Sequence, residues 1–257
     1  MKLDALFFGA HPDDVELSAG GTVAKLVKLG YKVGICDITR GEAGTRGSAE
    51  MRDKEAEDAA KILGVHVREN IELPDTEFVN DRANQLKAIH IIRKYQPEFV
   101  FCQYWNDRHP DHMHASDLVR ESSFYSGLSK IETSDKGKPQ EKFRPAKVIY
   151  YAARYEFSRI DGHIFIVDIT ETIDIKMKAM AAFASQFFNP TYKSDEPQTY
   201  ISSPEFTDAI RNRAAHFGSL IDTKYGESFL VREFPSVPDP VKFFRDGGQD
   251  VNKLGLA

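Results

Sequence analysis

The chain has 257 residues, 41 % of them hydrophobic, and a formal net charge of −5. A chain of that length buries roughly 75 % of its unfolded surface, so neither a disulfide nor a metal is needed merely to fold. The acidic balance gives no electrostatic case for nucleic acid or an anionic membrane as a partner, and no apolar run approaches the ~20 residues of a membrane-spanning helix.

The predicted elements begin with a short apolar strand, Leu3–Gly9, which is interrupted by Asp4 and too short for an export signal. Val23, Leu26, Val27 and Gly30 recur at helical spacing, and Gly30-Tyr31 closes that helix. Val33–Ile38 is a second strand. The loop Arg40-Gly41-Glu42-Ala43-Gly44-Thr45-Arg46-Gly47-Ser48 is glycine-rich, but it lacks the Lys-Ser/Thr of a P-loop and the spacing of a dinucleotide fingerprint. Ser48 is placed to cap a helix whose stripe is Ala56, Ala59, Ala60 and Leu63. His66–Leu73 is a weaker strand. Asp81 opens a helix carrying Ala88, Ile91, Ile92 and Tyr95 on one face, and Glu98–Cys102 is a fourth strand. Strands alternating with helices of this length predict a parallel sheet wrapped on both faces, an α/β fold.

The second half is less regular. Asp111–Gly127 reads as a helix and Glu132–Arg144 as a mobile, Lys-rich surface loop. Lys147–Ala152 and His163–Asp168 read as strands, compatible with a hairpin. Met177, Met180, Ala181 and Ala184 form a helical stripe, read as a core face rather than a methionine metal site. Phe188–Thr199 is a loop, and Ser202-Ser203-Pro204-Glu205 is a capping signal for a helix through Phe206, Ile210, Ala214, Phe217 and Ile221. Ser228–Phe234 is a last strand. The expectation is one domain over residues 1–257, with a core over about 1–185, a smaller C-terminal strand/helix extension and an irregular tail from about 235. Cys36 and Cys102 fall in apolar runs and read as buried thiols, which fits a reducing, cytoplasmic setting.

The chemistry lies in Ala10-His11-Pro12-Asp13-Asp14-Val15-Glu16 and Arg108-His109-Pro110-Asp111-His112. Imidazole with carboxylate is ligand chemistry for a catalytic divalent metal. Each segment follows a strand, and parallel sheets bind ligands beyond the C-terminal ends of their strands. That rule brings the two segments to one edge. Pro12 turns the chain out of the sheet. Asp13 and Asp14, being adjacent, point in different directions, so one can bind a metal while the other faces a water; Asp14 can instead cap the following helix. His109 and His112, three apart at a helix start, lie near one face, and one can bind metal while the other faces substrate. Asp111 can fix the tautomer of one imidazole or raise its pKa. His114, two residues beyond His112 and on another side of the helix, reads as surface, and His66, His90, His163 and His216 lack acidic company at ligand spacing.

Together these two motifs resemble the LmbE/PIG-L family of metal-dependent N-acetylglucosamine deacetylases over most of residues 1–128, and more loosely at Ser185-Gln186-Phe187 and Tyr200. Thr39–Gly47 with Glu50-Met51-Arg52 and Glu55-Ala56 is most similar to the bacillithiol branch, which deacetylates N-acetylglucosaminyl-L-malate. The resemblance implies a Rossmann-like, mostly parallel sheet. It implies His11, Asp14 and His112 as ligands, usually for Zn2+, with Fe2+ or another divalent ion as alternatives. Asp13 is then the general base, His109 the oxyanion stabiliser and amine acid, and Asp111 its tuning partner. Arg52 matches an arginine that holds sugar hydroxyls, and Tyr200 and Gln186 match substrate-side positions. Malate would add two carboxylates, for which Arg40, Arg46 and Arg108 are candidates. The implied partner is a small amino-sugar conjugate, and the implied assembly a homo-oligomer, as a hexamer.

Overall fold

Strand and helix alternate through the first half, as the periodicity predicts. The computed structural model describes residues 1–152 and 162–247. In order these form β1 (Ala5–Gly9), α1 (Asp14–Lys28), β2 (Val33–Thr39), α2 (Ala49–Leu63), β3 (Val67–Leu73), α3 (Arg82–Tyr95), β4 (Phe99–Gln103) and α4 (Pro110–Tyr125). Then come β5 (Ser134–Asp135), β6 (Lys138–Pro139), β7 (Lys147–Tyr151), β8 (His163–Asp168), α5 (Ile173–Ala182), a single turn at Tyr200–Ser202, α6 (Pro204–Ser219), β9 (Gly226–Val231) and α7 (Pro240–Gly247). The cap signals are realised: Ser48 accepts from the Met51 amide, Asp81 from Asn84 and Ser203 from Phe206.

Among the described residues, seven strands form one sheet in the order β3-β2-β1-β4-β7-β9-β8. The first five are parallel, and β9 runs antiparallel to both neighbours. The chain steps outward from β1 to β2 and β3, then returns to place β4 on the other side of β1. That reversal opens a crevice beyond the ends of β1 and β4, where open α/β sheets bind ligands. Strand residues alternate between two cores. Phe7, Ile35 and Phe101 face α1, α2 and α5, with Phe7 and Phe101 stacked at 4.1 Å. Leu6, Phe8, Val100 and Cys102 face α3 and α4. Burial on both faces is why these strands read as near-continuous apolar runs. Cys36 and Cys102 are buried free thiols.

The second half departs from expectation in four places. β7 and β8 do not form a hairpin; β9, buried along its whole length, lies between them and extends the core past the boundary expected near 185. The Glu132–Arg144 segment carries the small β5–β6 ladder and is fastened to α3. The Arg93 guanidinium donates to the Ser126, Leu128 and Ile131 carbonyls and to the Thr133 hydroxyl. Helix α5 buries Ile173, Lys176, Ala179 and Met180, while Ala181 is exposed and Ala184 lies beyond the helix. Lys176 hides that period because it is a buried cation, held 2.5 Å from Glu227. Finally, the tail contains α7, whose first turn is capped by Asp239 accepting from the Lys242 amide. The rest of the expected tail, 248–257, lies outside the described residues. Among the described residues no helix is long and apolar enough to cross a membrane.

Candidate active site

His11 leaves the end of β1, and Asp13 and Asp14 form the start of α1. Asp13 takes a left-handed backbone conformation, φ 116°, the kind of strain (about 1–3 kcal/mol) that persists where its surroundings impose it. Beyond β4, His109 is the N-cap of α4 and Pro110 its first residue. The Asp111 amide donates to His109 Nδ1 at 3.3 Å, so a neutral His109 carries its proton on Nε2. His112, one turn later, stacks on His109 with ring centroids 4.7 Å apart.

The crevice therefore joins the two motifs. The ligand atoms of His11, Asp14 and His112 lie within 4.8 Å of one another. His112 Nε2 is 3.1 Å from Asp14 Oδ1, and His11 Nδ1 is 3.3 Å from Asp14 Oδ2. Two imidazoles and a carboxylate suit a catalytic divalent cation such as zinc. The outer groups fit the same role. His112 Nδ1 meets Asp107 at 2.8 Å, and His11 Nε2 lies 3.0 Å from Asp75 and 3.2 Å from Asp111. Carboxylates behind ligating imidazoles are the usual means of fixing tautomer and ring orientation.

Asp13 stands beside this set without joining it. Burial raises its carboxyl to about 7 against the opposing pull of Arg52, a value suited to moving a proton near neutrality. Burial alone would raise Asp14 too, but the His112 and His11 imidazoles hold it well below the usual carboxylate range. His112 shows the reciprocal effect: burial disfavours its charge, yet Asp14 and Asp107 lift it to about 10. Burial lowers His109, with the neighbouring His112 and His11 adding to the effect, which favours the neutral ring.

Other expected site residues sit differently. The Asp111 carboxylate bonds to His11 and the Thr76 amide and lies within 4.8 Å of a His109 ring nitrogen, while the hydrogen bond to His109 comes from the Asp111 backbone. Arg52 is turned inward, donating to Pro12 O at 2.5 Å, Asp13 at 2.9 Å and Gly41 O at 3.0 Å. It holds the Asp13 carboxylate rather than facing solvent. Gln186 is buried, its amide bonded to Arg46 O and Ser185 Oγ. Tyr200 is 52 % exposed and packs edge-on to Phe206. Arg40 pairs with Asp53 and Glu50, and Arg46 binds the Ser185 and Pro197 carbonyls. Arg108 is exposed beside the second motif. Sequence reading missed Asp75, Asp107 and Gln103. The sheet-edge rule offered a signal for the first two, since Asp75 follows β3 and Asp107 follows β4.

The Arg52 clamp yields a prediction. Gly41 has φ +68°, and a Cβ there would fall 1.9 Å from Arg52 Nη1. Gly41→Ala is expected to displace the guanidinium, destabilise the fold by about 1–3 kcal/mol and lower kcat. Urea unfolding with steady-state kinetics checks it; a variant with wild-type values for both would remove the clamp.

Comparison with known proteins agrees with the geometry. The family model described as PIG-L, GlcNAc-PI de-N-acetylase, matches residues 6–123. A diacetylchitobiose deacetylase from Thermococcus kodakarensis is 28 % identical over 239 residues, covering 88 % of this chain and 81 % of its own. A 4-oxalmesaconate hydratase from Pseudomonas putida is 28 % identical over 196 residues, covering 71 % and 73 %. The crystal structure of a conserved protein from Thermus thermophilus superposes with a TM-score of 0.78 at 32 % identity, covering 93 % of this chain and 98 % of that one. The two motifs, the crevice between β1 and β4 and these similarities place the chain in the PIG-L family of de-N-acetylases.

Proposed function

We propose that this enzyme hydrolyses the N-acetyl group of an N-acetylglucosamine conjugate to acetate and a free amine, using a divalent cation held by His11, Asp14 and His112. The observation that carries this reading is Asp13. It is a buried carboxyl with a pKa of about 7 beside a three-ligand set it does not complete, which pure metal binding would not need.

A cation held there would supply Lewis-acid polarisation of the acetamide carbonyl and acidify a water. Asp13 accepts the proton of the attacking water. Arg52 fixes the Asp13 carboxylate while it does so. His109 Nε2–H donates to the oxygen that becomes negative as the carbonyl carbon turns tetrahedral. Protonated Asp13 then returns the proton to the departing nitrogen, and the amide C–N bond breaks.

Zinc is the favoured ion, with iron(II) the alternative, because the donor types suit both. The favoured conjugate is N-acetylglucosaminyl-L-malate, as in bacillithiol biosynthesis, in a cytoplasmic setting consistent with two buried free thiols. The likeness of the 39–56 segment to that branch supports it. Of the three arginines considered for malate, Arg108 is the exposed one beside the histidines. Arg108→Glu is expected to raise KM for the malate conjugate more than for N-acetylglucosamine; equal effects on both would remove the malate contact.

The test is acetate release from N-acetylglucosaminyl-malate, N-acetylglucosamine and diacetylchitobiose, with 4-oxalmesaconate hydration as the control. The expected result is acetate from the N-acetyl compounds, with kcat/KM highest for the malate conjugate. Hydration of 4-oxalmesaconate, with no acetate from any conjugate, would overturn the reading.

A further inference from the structure

The two faces of β4 are set by alternation. Phe101 points into the core beneath α1, α2 and α5, and position 103 continues that face. An apolar side chain is expected there. Gln103 stands instead, 1 % exposed. A buried amide costs about 1–3 kcal/mol unless it is hydrogen-bonded.

The bond it makes is specific. Gln103 Nε2 donates to Asp14 Oδ2 at 3.0 Å. Its own oxygen, Oε1, is buried and has no partner among the described residues. The core therefore does not fasten that oxygen in a polar network. Turning the amide over would set its oxygen against the carboxylate, acceptor against acceptor, so its orientation is fixed by Asp14.

Asp14 Oδ2 also accepts from the His11 amide at 2.8 Å. Two N–H donors thus occupy the two lone pairs of this oxygen. His11 Nδ1, 3.3 Å away, adds a longer contact. The other oxygen, Oδ1, faces His112 Nε2. The two halves of the carboxylate are chemically unequal: one is tied to the protein and the other is left to coordinate.

We propose that Gln103 is a positioning residue of the metal centre, holding Asp14 as a one-oxygen ligand. The inference rests on the reading of His11, Asp14 and His112 as ligands. Without the Gln103 amide, Oδ2 regains a lone pair and Asp14 swings toward binding through both oxygens. Coordination number and ligand geometry separate divalent ions of similar affinity, so this amide also bears on which ion the site retains.

The experiment compares wild type with Gln103→Met, similar in volume and without a donor, and Gln103→Asn, whose amide is one methylene too short. Each is stripped of metal. The Zn2+ dissociation constant is read by chelator competition, and the visible spectrum is read after loading with Co2+. Loss of such an outer contact typically weakens metal affinity about 10–100-fold. That loss is expected in both variants, with a fall in Co2+ molar absorptivity as coordination number rises and no fall in the thermal midpoint of the metal-free protein. Should Gln103→Met fail to fold, Gln103→Asn carries the comparison. Wild-type affinity and spectrum in a folded variant would overturn the inference. Failure of the wild-type protein to bind one equivalent would overturn the ligand reading itself.

Discussion

Asp13→Asn is expected to keep one equivalent of metal and lose about 10²–10⁴ in kcat, the usual worth of a positioned base. The substitution is close to isosteric, and asparagine tolerates the left-handed backbone that Asp13 occupies. Its amide oxygen can still accept from Arg52, so the clamp at Pro12 O and Gly41 O is retained. What is lost is the ability to take a proton. Metal analysis with steady-state kinetics checks this: full activity in a metal-loaded variant would remove Asp13 as the base, whereas loss of metal would make it part of the ligand set.

His112→Ala is expected to be the more severe change, with loss of bound metal and, with it, measurable deacetylation. His112 lies between two carboxylates, 3.1 Å from Asp14 and 2.8 Å from Asp107. Removing the imidazole takes away a ligand and leaves those two buried carboxylates without the group that both face. Breaking a buried ionic arrangement by deleting one partner typically costs about 3–5 kcal/mol. The metal-free variant should therefore unfold at lower denaturant than metal-free wild type. Normal metal content in His112→Ala would break the ligand assignment.

The parts of the molecule that were legible in the sequence are those that local chemistry dictates. Buried parallel strands read as apolar runs, Ser48, Asp81 and Ser203 mark helix starts, and a histidine-carboxylate motif follows each of the two strands at the switch point. The less legible parts depend on contacts far along the chain. β9 enters the sheet between β7 and β8 from residue 226, and no local pattern announces an antiparallel insertion. The buried cation Lys176 interrupts the apolar period of α5 because its partner, Glu227, lies 51 residues away. Arg52 was legible as a site residue, but its direction was not. A guanidinium's sequence position does not say whether it faces a sugar or, as here, the Asp13 carboxylate. Gln103 gave no such signal: it follows the apolar run that ends at Cys102, where a polar residue reads as the end of the strand.

The ligand set, the base and the activity meet in one measurement: release of acetate and free amine from N-acetylglucosaminyl-malate by enzyme stripped of metal and titrated with zinc. No turnover is expected in the stripped protein, with recovery that saturates at one equivalent and acetate and amine formed in equal amounts. Equal activity before and after metal removal, or product without a free amine, would contradict the proposed metal-dependent deacetylation.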